Sequence, residues 1–299
     1  MQKLTGVHVY EKRKDSEWTT LGLAVQVLSI LSWKTRYGRI ELYTNDAHLE
    51  DLRAHGIDKL YDKIDTSTLA STRVDVEKYW AFGKIQIASI IEPPFVILDT
   101  DLWLSQDISF DSSKSYQGYH YEKIFHDHPL NHYIDFDQLI PNNLKGRWDK
   151  EILPTNTALL YINDKDLVNE WFKCSYEIAN QPNQIEVDSS ISHSAYITFI
   201  EQRLLPMIAH ELNKQYSTIV RPIYLSLPIF NNGNEWSPKA SEWDDTTRNE
   251  FSKIIHIWGL KNQLNDPKIK DLIRSVITKH FDKYLEAAQF SQLLDYWRD

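Results

Sequence analysis

Two carboxylates stand one residue apart in Asp99-Thr100-Asp101, directly after the apolar run Phe95-Val96-Ile97-Leu98. Such a run fits a central strand buried on both faces, and in open α/β sheets ligands bind at the carboxyl ends of strands. A strand end that fixes both carboxylates can hold a divalent cation, and oxygen donors suit Mg²⁺ or Mn²⁺. The alternative is an Asp-x-Asp that only caps the loop. Three further stretches carry candidate chemistry. In His256-Ile257-Trp258-Gly259-Leu260-Lys261, a neutral imidazole is a transition-metal ligand. Gly259 admits close backbone approach to a ligand, and Lys261 is a phosphate partner. Asn156, in the turn Thr155-Asn156-Thr157, can offer its amide to a ligand hydroxyl or simply form an ordinary turn. Glu201-Gln202 interrupts the apolar helix of Ile197, Phe199, Ile200, Leu204 and Leu205. That polar pair faces either a cleft or solvent.

The elements that must position these residues follow from hydrophobic periodicity. Thr5–Tyr10 reads as an opening strand. Ser16 caps a helix to about Tyr37, with Trp18, Leu21, Val25 and Leu28 at helical spacing and Gly38 as its stop. Ile40–Thr44 is a buried strand, Asp46 caps a helix closed by Gly56, and Lys59–Ile64 holds a third strand. This β–α–β–α–β rhythm predicts an α/β fold with a mostly parallel sheet flanked by helices. A helix over Glu77–Ile91, with Trp80, Ile87, Ala88 and Ile91 inward, ends at Pro93-Pro94 and leads into the carboxylate strand. Beyond it come a strand in Ala158–Ile162, a helix over Asp166–Ile178 and a long helix around Ala195–Asn213 bent at Pro206. The turn-rich stretch Pro228–Asp245, the short apolar run Ile254–Trp258 and two C-terminal helices follow.

Composition narrows the class. The 299 residues carry 33 Lys+Arg against 42 Asp+Glu, a net charge of −9, and no basic block, which excludes nucleic acid as the main partner. The lone Cys174 rules out an intrachain disulfide and a Cys-rich metal site, and points to a reducing compartment. No run of about 18 apolar residues is present, so no transmembrane segment is expected. The first residues, Met1-Gln2-Lys3-Leu4-Thr5-Gly6, lack the apolar stretch of a signal peptide. A soluble cytoplasmic protein is the expectation.

Taken in order, Asp99-Thr100-Asp101, Asn156-Thr157-Ala158 running into Tyr161-Ile162-Asn163, Glu201-Gln202 and His256…Gly259…Lys261 resemble the motif series of GT-A glycosyltransferases. The resemblance is closest to family eight, the glycogenin and bacterial lipooligosaccharide galactosyltransferase type. It covers roughly residues 5–261. Trp80-Ala81-Phe82-Gly83-Lys84 resembles the segment in which such enzymes place a basic residue near the donor. The family implies a Rossmann-like GT-A domain over residues 1–262, and the two C-terminal helices read from the sequence form a helical extension over 263–299. It implies Mn²⁺ or Mg²⁺ and a nucleotide-diphospho-sugar donor, most often a UDP-sugar. A sugar passes to a hydroxyl acceptor such as a glycan, with retention, and bacterial surface polysaccharide synthesis is one setting.

Carried over residue by residue, Asp101, Asp99 and His256 would hold the metal, with Asp99 also near the donor ribose. Lys84 and Lys261 would meet the diphosphate, with Gly259 beside them. Asn156, Glu201 and Gln202 would serve the transferred sugar. Tyr10 and Asn45 would border base and ribose. This chain has Ala158 where the family usually has Gly and Glu201 where Asp is common. The spacing from His256 to Lys261 is one residue short of the family's.

Two rival readings use the same residues. A haloacid-dehalogenase-like phosphatase also places Asp-x-Asp after a buried strand, but its motif normally continues with Thr or Val, where Trp103 follows Leu102 here. A non-catalytic sugar-nucleotide-binding protein on a GT-A body would not need Asp99, Asp101 and His256. One segment stands apart from the motif series. His120, His126, His128 and His132 lie among Tyr116, Tyr119, Tyr121 and Tyr133. His126-x-His128 could start a zinc site, but with no Cys in the segment the favoured reading is a loop packing aromatics beside the site, as a wall whose rings could stack on an acceptor sugar.

Overall fold

The computed structural model describes residues 4–12, 20–71, 74–75, 79–122, 140–180, 198–220 and 253–256, with 267 and 275 as single positions. The expected cap Ser16, His126, His128, His132, the stretch 228–245, Gly259, Lys261, the domain boundary at 262/263 and both C-terminal helices lie outside these residues.

The protein is mixed α/β. Strands β1 (Thr5–Tyr10), β2 (Ile40–Thr44), β3 (Lys63–Asp65), β4 (Phe95–Leu98), β6 (Tyr116–Gly118), β7 (Leu159–Ile162) and β8 (Tyr216–Thr218) form a seven-stranded sheet. Its order is β3-β2-β1-β4-β7-β6-β8. Strands β5 (Leu102–Leu104) and β9 (Ile254–His256) form a separate two-stranded sheet. The described helices are α1 (Thr20–Tyr37), α2 (Asp46–Ala54), α3 (Ser67–Ala70), α4 (Phe82–Ile90), α5 (Lys165–Ala179) and α6 (Leu204–Glu211). The chain groups into two compact units.

The first unit is Met1–Ser67, Leu98–Ile108 and Ser226–Asp299. Its strands β1, β2 and β3 run parallel, in register from Gly6↔Ile40 to Tyr10↔Thr44 and from Glu41↔Lys63 to Tyr43↔Asp65. Every residue of β2 is buried, as a strand covered on both faces requires. Val7, Leu28, Leu31, Trp33, Ile40 and Leu42 form the core. Trp33 packs so close that a Cβ on Gly6 would fall 2.5 Å from its Nε1, so only glycine fits there. The strand expected over Lys59–Ile64 is instead a 3₁₀ turn, Ile57–Leu60, followed by β3. The left-handed Gly56 (φ 69°) turns the chain into it. The cap expected at Asp46 is Asn45, whose side chain accepts from His48 N.

The second unit is Thr68–Ile97 and Ser109–Leu225. β6 pairs antiparallel with β7 and parallel with β8. Its core holds Val96, Ile97, Leu159, Leu160, Ile162, Val168, Trp171, Ile200, Leu204 and Leu205. Trp80, expected inward, is 47% exposed. Helix α4 starts only at Phe82, so Trp80 precedes the helical phase that buries Phe82, Ile85, Ile87 and Ala88. The long helix expected to bend at Pro206 is a π turn, Phe199–Arg203, followed by α6. Pro206 has no N–H to give Gln202 O four residues earlier, and Thr155 N donates to that carbonyl at 2.9 Å instead. A disturbed helical ladder of this kind is where π turns occur.

Candidate metal centre

In the first unit, Asp99 and Asp101 lie on the turn between β4 and β5. β5 begins at Leu102, immediately after Asp101, and pairs antiparallel with β9 in a register that sets Leu102 opposite His256. Ser105 N→Lys253 O, 2.9 Å, extends the ladder by one bond. Three residues of backbone pairing thus bring together side chains more than 150 positions apart. His256 Nε2 lies 3.4 Å from Asp101 Oδ1 and 3.6 Å from Asp99 Oδ2. One ligand atom from each residue falls within 4.8 Å of the others. Asp101 is 6% exposed, and the His256 side chain 13%.

This donor set fits a divalent cation. Ligands that share an ion through bonds of roughly 2.1 Å stand about 3.0–3.4 Å apart, so the two separations to His256 need closure by only tenths of an ångström, while the carboxylate pair lies within the wider 4.8 Å span. Two carboxylates and one imidazole suit an ion between the hard and borderline classes, as Mn²⁺ is.

Behind this turn lies a buried polar cluster that sequence reading missed. His8 on β1 is fully buried, with Tyr61 OH 2.8 Å from Nδ1 and Ser29 Oγ 3.0 Å from Nε2. Burial, offset only in part by the charge of Asp101, pushes His8 down to about 3. The imidazole is therefore neutral at ordinary pH. The available signal was polar Gln26, Ser29 and Ser32 at steps of three along an otherwise apolar helix.

Tyr10 ends β1, half-buried, with its ring centroid 4.5 Å from that of the buried His48. Burial pushes His48 down to about 4. The Asn45 side chain is engaged locally: Oδ1 accepts from His48 N at 3.1 Å and Lys12 N at 3.3 Å, and Nδ2 donates to Lys12 O at 2.8 Å. It serves as a helix cap and a tie between the ends of β1 and β2.

In the second unit, two more of the sequence motifs meet. Thr157 Oγ1 donates to Glu201 Oε1 at 2.6 Å, and Lys84 Nζ lies 2.7 Å from the same oxygen. The Lys84 and Glu201 side chains are only 8% and 3% exposed. The π turn directs Glu201 inward, and Thr155 N→Gln202 O joins the two motifs through backbone. Asn156 donates from Nδ2 to Glu122 Oε1 at 2.7 Å and accepts at Oδ1 from Ala158 N at 3.0 Å, closing its own turn. Lys84 and Glu201, assigned separate roles by the sequence motifs, form one buried ion pair. His120 is buried, and its Nδ1 donates to Tyr121 O at 3.0 Å. Cys174 is buried, and burial raises its thiol to about 12, so it is not a nucleophile. Among the described residues, no helix is long and apolar enough to cross a membrane.

Among curated proteins, none matches this chain in sequence. Mouse xyloside xylosyltransferase 1, in its apo form, is one solved structure similar to it, at 14% identity and a TM-score of 0.43, covering 85% of this chain and 96% of that one. The model of the family described as "Family of unknown function (DUF6734)" matches residues 14–289, and the chain belongs to that family.

Proposed function

We propose that this protein is a metal-dependent glycosyltransferase that moves a sugar from a nucleotide-diphospho-sugar, a UDP-sugar first among them, to a hydroxyl acceptor. The observation that carries the reading is the convergence of Asp99, Asp101 and His256 through the β5–β9 pairing. The sequence resemblance requires this triad, and chance gives no reason for a distant histidine to join an Asp-x-Asp turn. Asp99, Asp101 and His256 would hold Mn²⁺ or Mg²⁺, with the imidazole favouring Mn²⁺. When bound, the ion supplies Lewis-acid stabilisation of the charge that builds on a leaving diphosphate.

The chain's own residues supply the rest. The β5–β9 ladder fixes the imidazole against the turn that carries both carboxylates. Tyr10, at the end of β1, offers a ring face and edge to a base or ribose. Lys261 and Gly259 are assigned to the diphosphate, and Asn156, Glu201 and Gln202 to the sugar, as the resemblance has them. Lys84 enters as the partner of Glu201, which it holds in one orientation. A bacterial glycan is the acceptor class we favour, with retention of anomeric configuration.

The test is turnover. Purified protein is offered UDP-sugars with Mn²⁺ and simple glycan acceptors, and the first-formed product is read by NMR. Transfer that stops with EDTA supports the reading. Release of inorganic phosphate in place of transfer would mean the phosphatase, and binding without turnover the inactive GT-A body.

A further inference from the structure

We propose that a one-way chain of buried hydrogen bonds, running from Gln26 through Tyr61, His8 and Ser29 to the carbonyl of Asp99, positions the turn that carries the metal ligands, with His8 held as its Nε2–H tautomer. The inference rests on the metal reading above and adds to it a set of positioning residues.

The direction of the chain is set at its end. The Asp99 carbonyl can only accept, so Ser29 Oγ gives it its single hydrogen, at 3.3 Å. Ser29 then has only lone pairs left for His8, 3.0 Å away, so Nε2 carries the hydrogen. Nδ1 is left as an acceptor, and Tyr61 OH donates to it at 2.8 Å. The Tyr61 oxygen in turn accepts from Gln26 Nε2 at 2.8 Å. Running the chain backwards would spend the Ser29 hydrogen on His8 and set two oxygen lone pairs against each other at Asp99. The neutral imidazole that this scheme requires is the form burial enforces.

The same helix holds the far side of the turn. Ser32 Oγ donates to Ser29 O at 2.9 Å and accepts from Leu104 N at 3.1 Å. Arg36 Nη2 donates to Ser105 O at 2.7 Å. Helix α1 therefore grips the backbone at residue 99 and again at 104–105, on either side of Asp101. Gln26, Ser29 and Ser32 are at most 1% exposed. Buried polar side chains at three successive steps of one helix carry a desolvation cost that apolar residues would avoid. Ser29 and Ser32 recover it here as bonds to the backbone at Asp99 and Leu104, and Gln26 as a bond to Tyr61 behind His8. Such outer contacts govern how well ligands are aimed at a metal.

Two measurements test this. The first uses ¹⁵N-histidine-labelled, metal-free wild type, in which long-range ¹H–¹⁵N correlations report the His8 tautomer at pH 7. Nε2–H is expected, and Nδ1–H would overturn the chain. The second is Mn²⁺ titration followed by EPR. Ser29→Ala should weaken Mn²⁺ about 10-fold, the lower end for outer contacts around a metal. Ser175→Ala, at a fully buried serine of helix α5 in the other unit, should leave Mn²⁺ affinity unchanged. Equal affinity in wild type and a folded Ser29→Ala refutes this proposal alone. A wild type that binds no Mn²⁺ refutes the metal reading itself, and the tautomer measurement still decides the direction of the chain.

Discussion

His8 and His48 are both fully buried, and both are held neutral, at about 3 and about 4 against an ordinary 6.5. A histidine whose folded value is depressed binds a proton more readily when unfolded. Its stabilising contribution is full above pH 6.5 and is lost as pH falls from there toward the folded value. Each unit of pH in that window removes about 1.4 kcal/mol per group. Between pH 7.5 and 5.0, each histidine should therefore cost the protein about 2 kcal/mol, and the pair about 4 kcal/mol. With an unfolding entropy of about 0.6 kcal/mol/K for a chain of this size, each histidine accounts for a fall of about 3 °C in Tm. Asp164 and Glu170, whose carboxyls are depressed, lose their contribution only below about pH 4.5, outside this window. The perturbation is His8→Gln, which keeps a polar side chain but cannot titrate. Urea unfolding in EDTA at pH 7.5 and 5.0 should show the variant losing about 2 kcal/mol less than wild type across the interval. Identical losses would mean that His8 is not held neutral in the folded protein, and the reasoning from burial would fail.

Other outcomes follow from the second unit and the close-packed glycine. Removing one member of the buried Lys84–Glu201 pair leaves a charge uncompensated, so Lys84→Met should cost about 3–5 kcal/mol in urea unfolding. Lys84→Met with Glu201→Leu should recover most of that loss, and a single variant as mild as a surface substitution would contradict the pairing. Gly6→Ala, which drives a methyl into Trp33, should cost about 1–3 kcal/mol of stability. Its near-UV circular dichroism around the tryptophan band should change as well. Gln202→Ala should lower kcat while leaving UDP affinity near wild type, and Lys261→Ala should weaken UDP first. Matching kinetic profiles for these two variants would remove the separate sugar and diphosphate assignments.

Much of the frame was legible because its signals are local. Thr5–Tyr10, Ile40–Thr44 and Phe95–Leu98 stand in the structure with the bounds read from the sequence, since uninterrupted β-forming runs between turns leave little choice. The Asp99-Thr100-Asp101 turn was legible for the same reason. The pairing that delivers His256 was not, because β5 and β9 are three residues each and nothing local joins them. Only the motif order anticipated it. The ion pair of Lys84 with Glu201 was hidden by the π turn, which periodicity reads as continuous helix. Asn45 shows a different ambiguity. An asparagine before a helix can cap it or face a ligand, and in the structure its amide is committed to the cap and to Lys12. The His8 cluster escaped notice because its one local signal, Gln26, Ser29 and Ser32 at steps of three in an apolar helix, does not name His8, Tyr61 or the Asp99 turn until the fold brings them together.

The central claim is that Asp99, Asp101 and His256 hold a cation through which a nucleotide diphosphate binds. Calorimetric titration of UDP into wild type and Asp101→Asn, each with Mn²⁺ and with EDTA, tests it most directly. We expect tight UDP binding to wild type only with Mn²⁺, and weak, metal-independent binding to the variant. The Tm of the variant in EDTA should be unchanged or higher, since removing one of two clustered carboxylates relieves repulsion. UDP binding of equal strength in all four titrations would contradict the account.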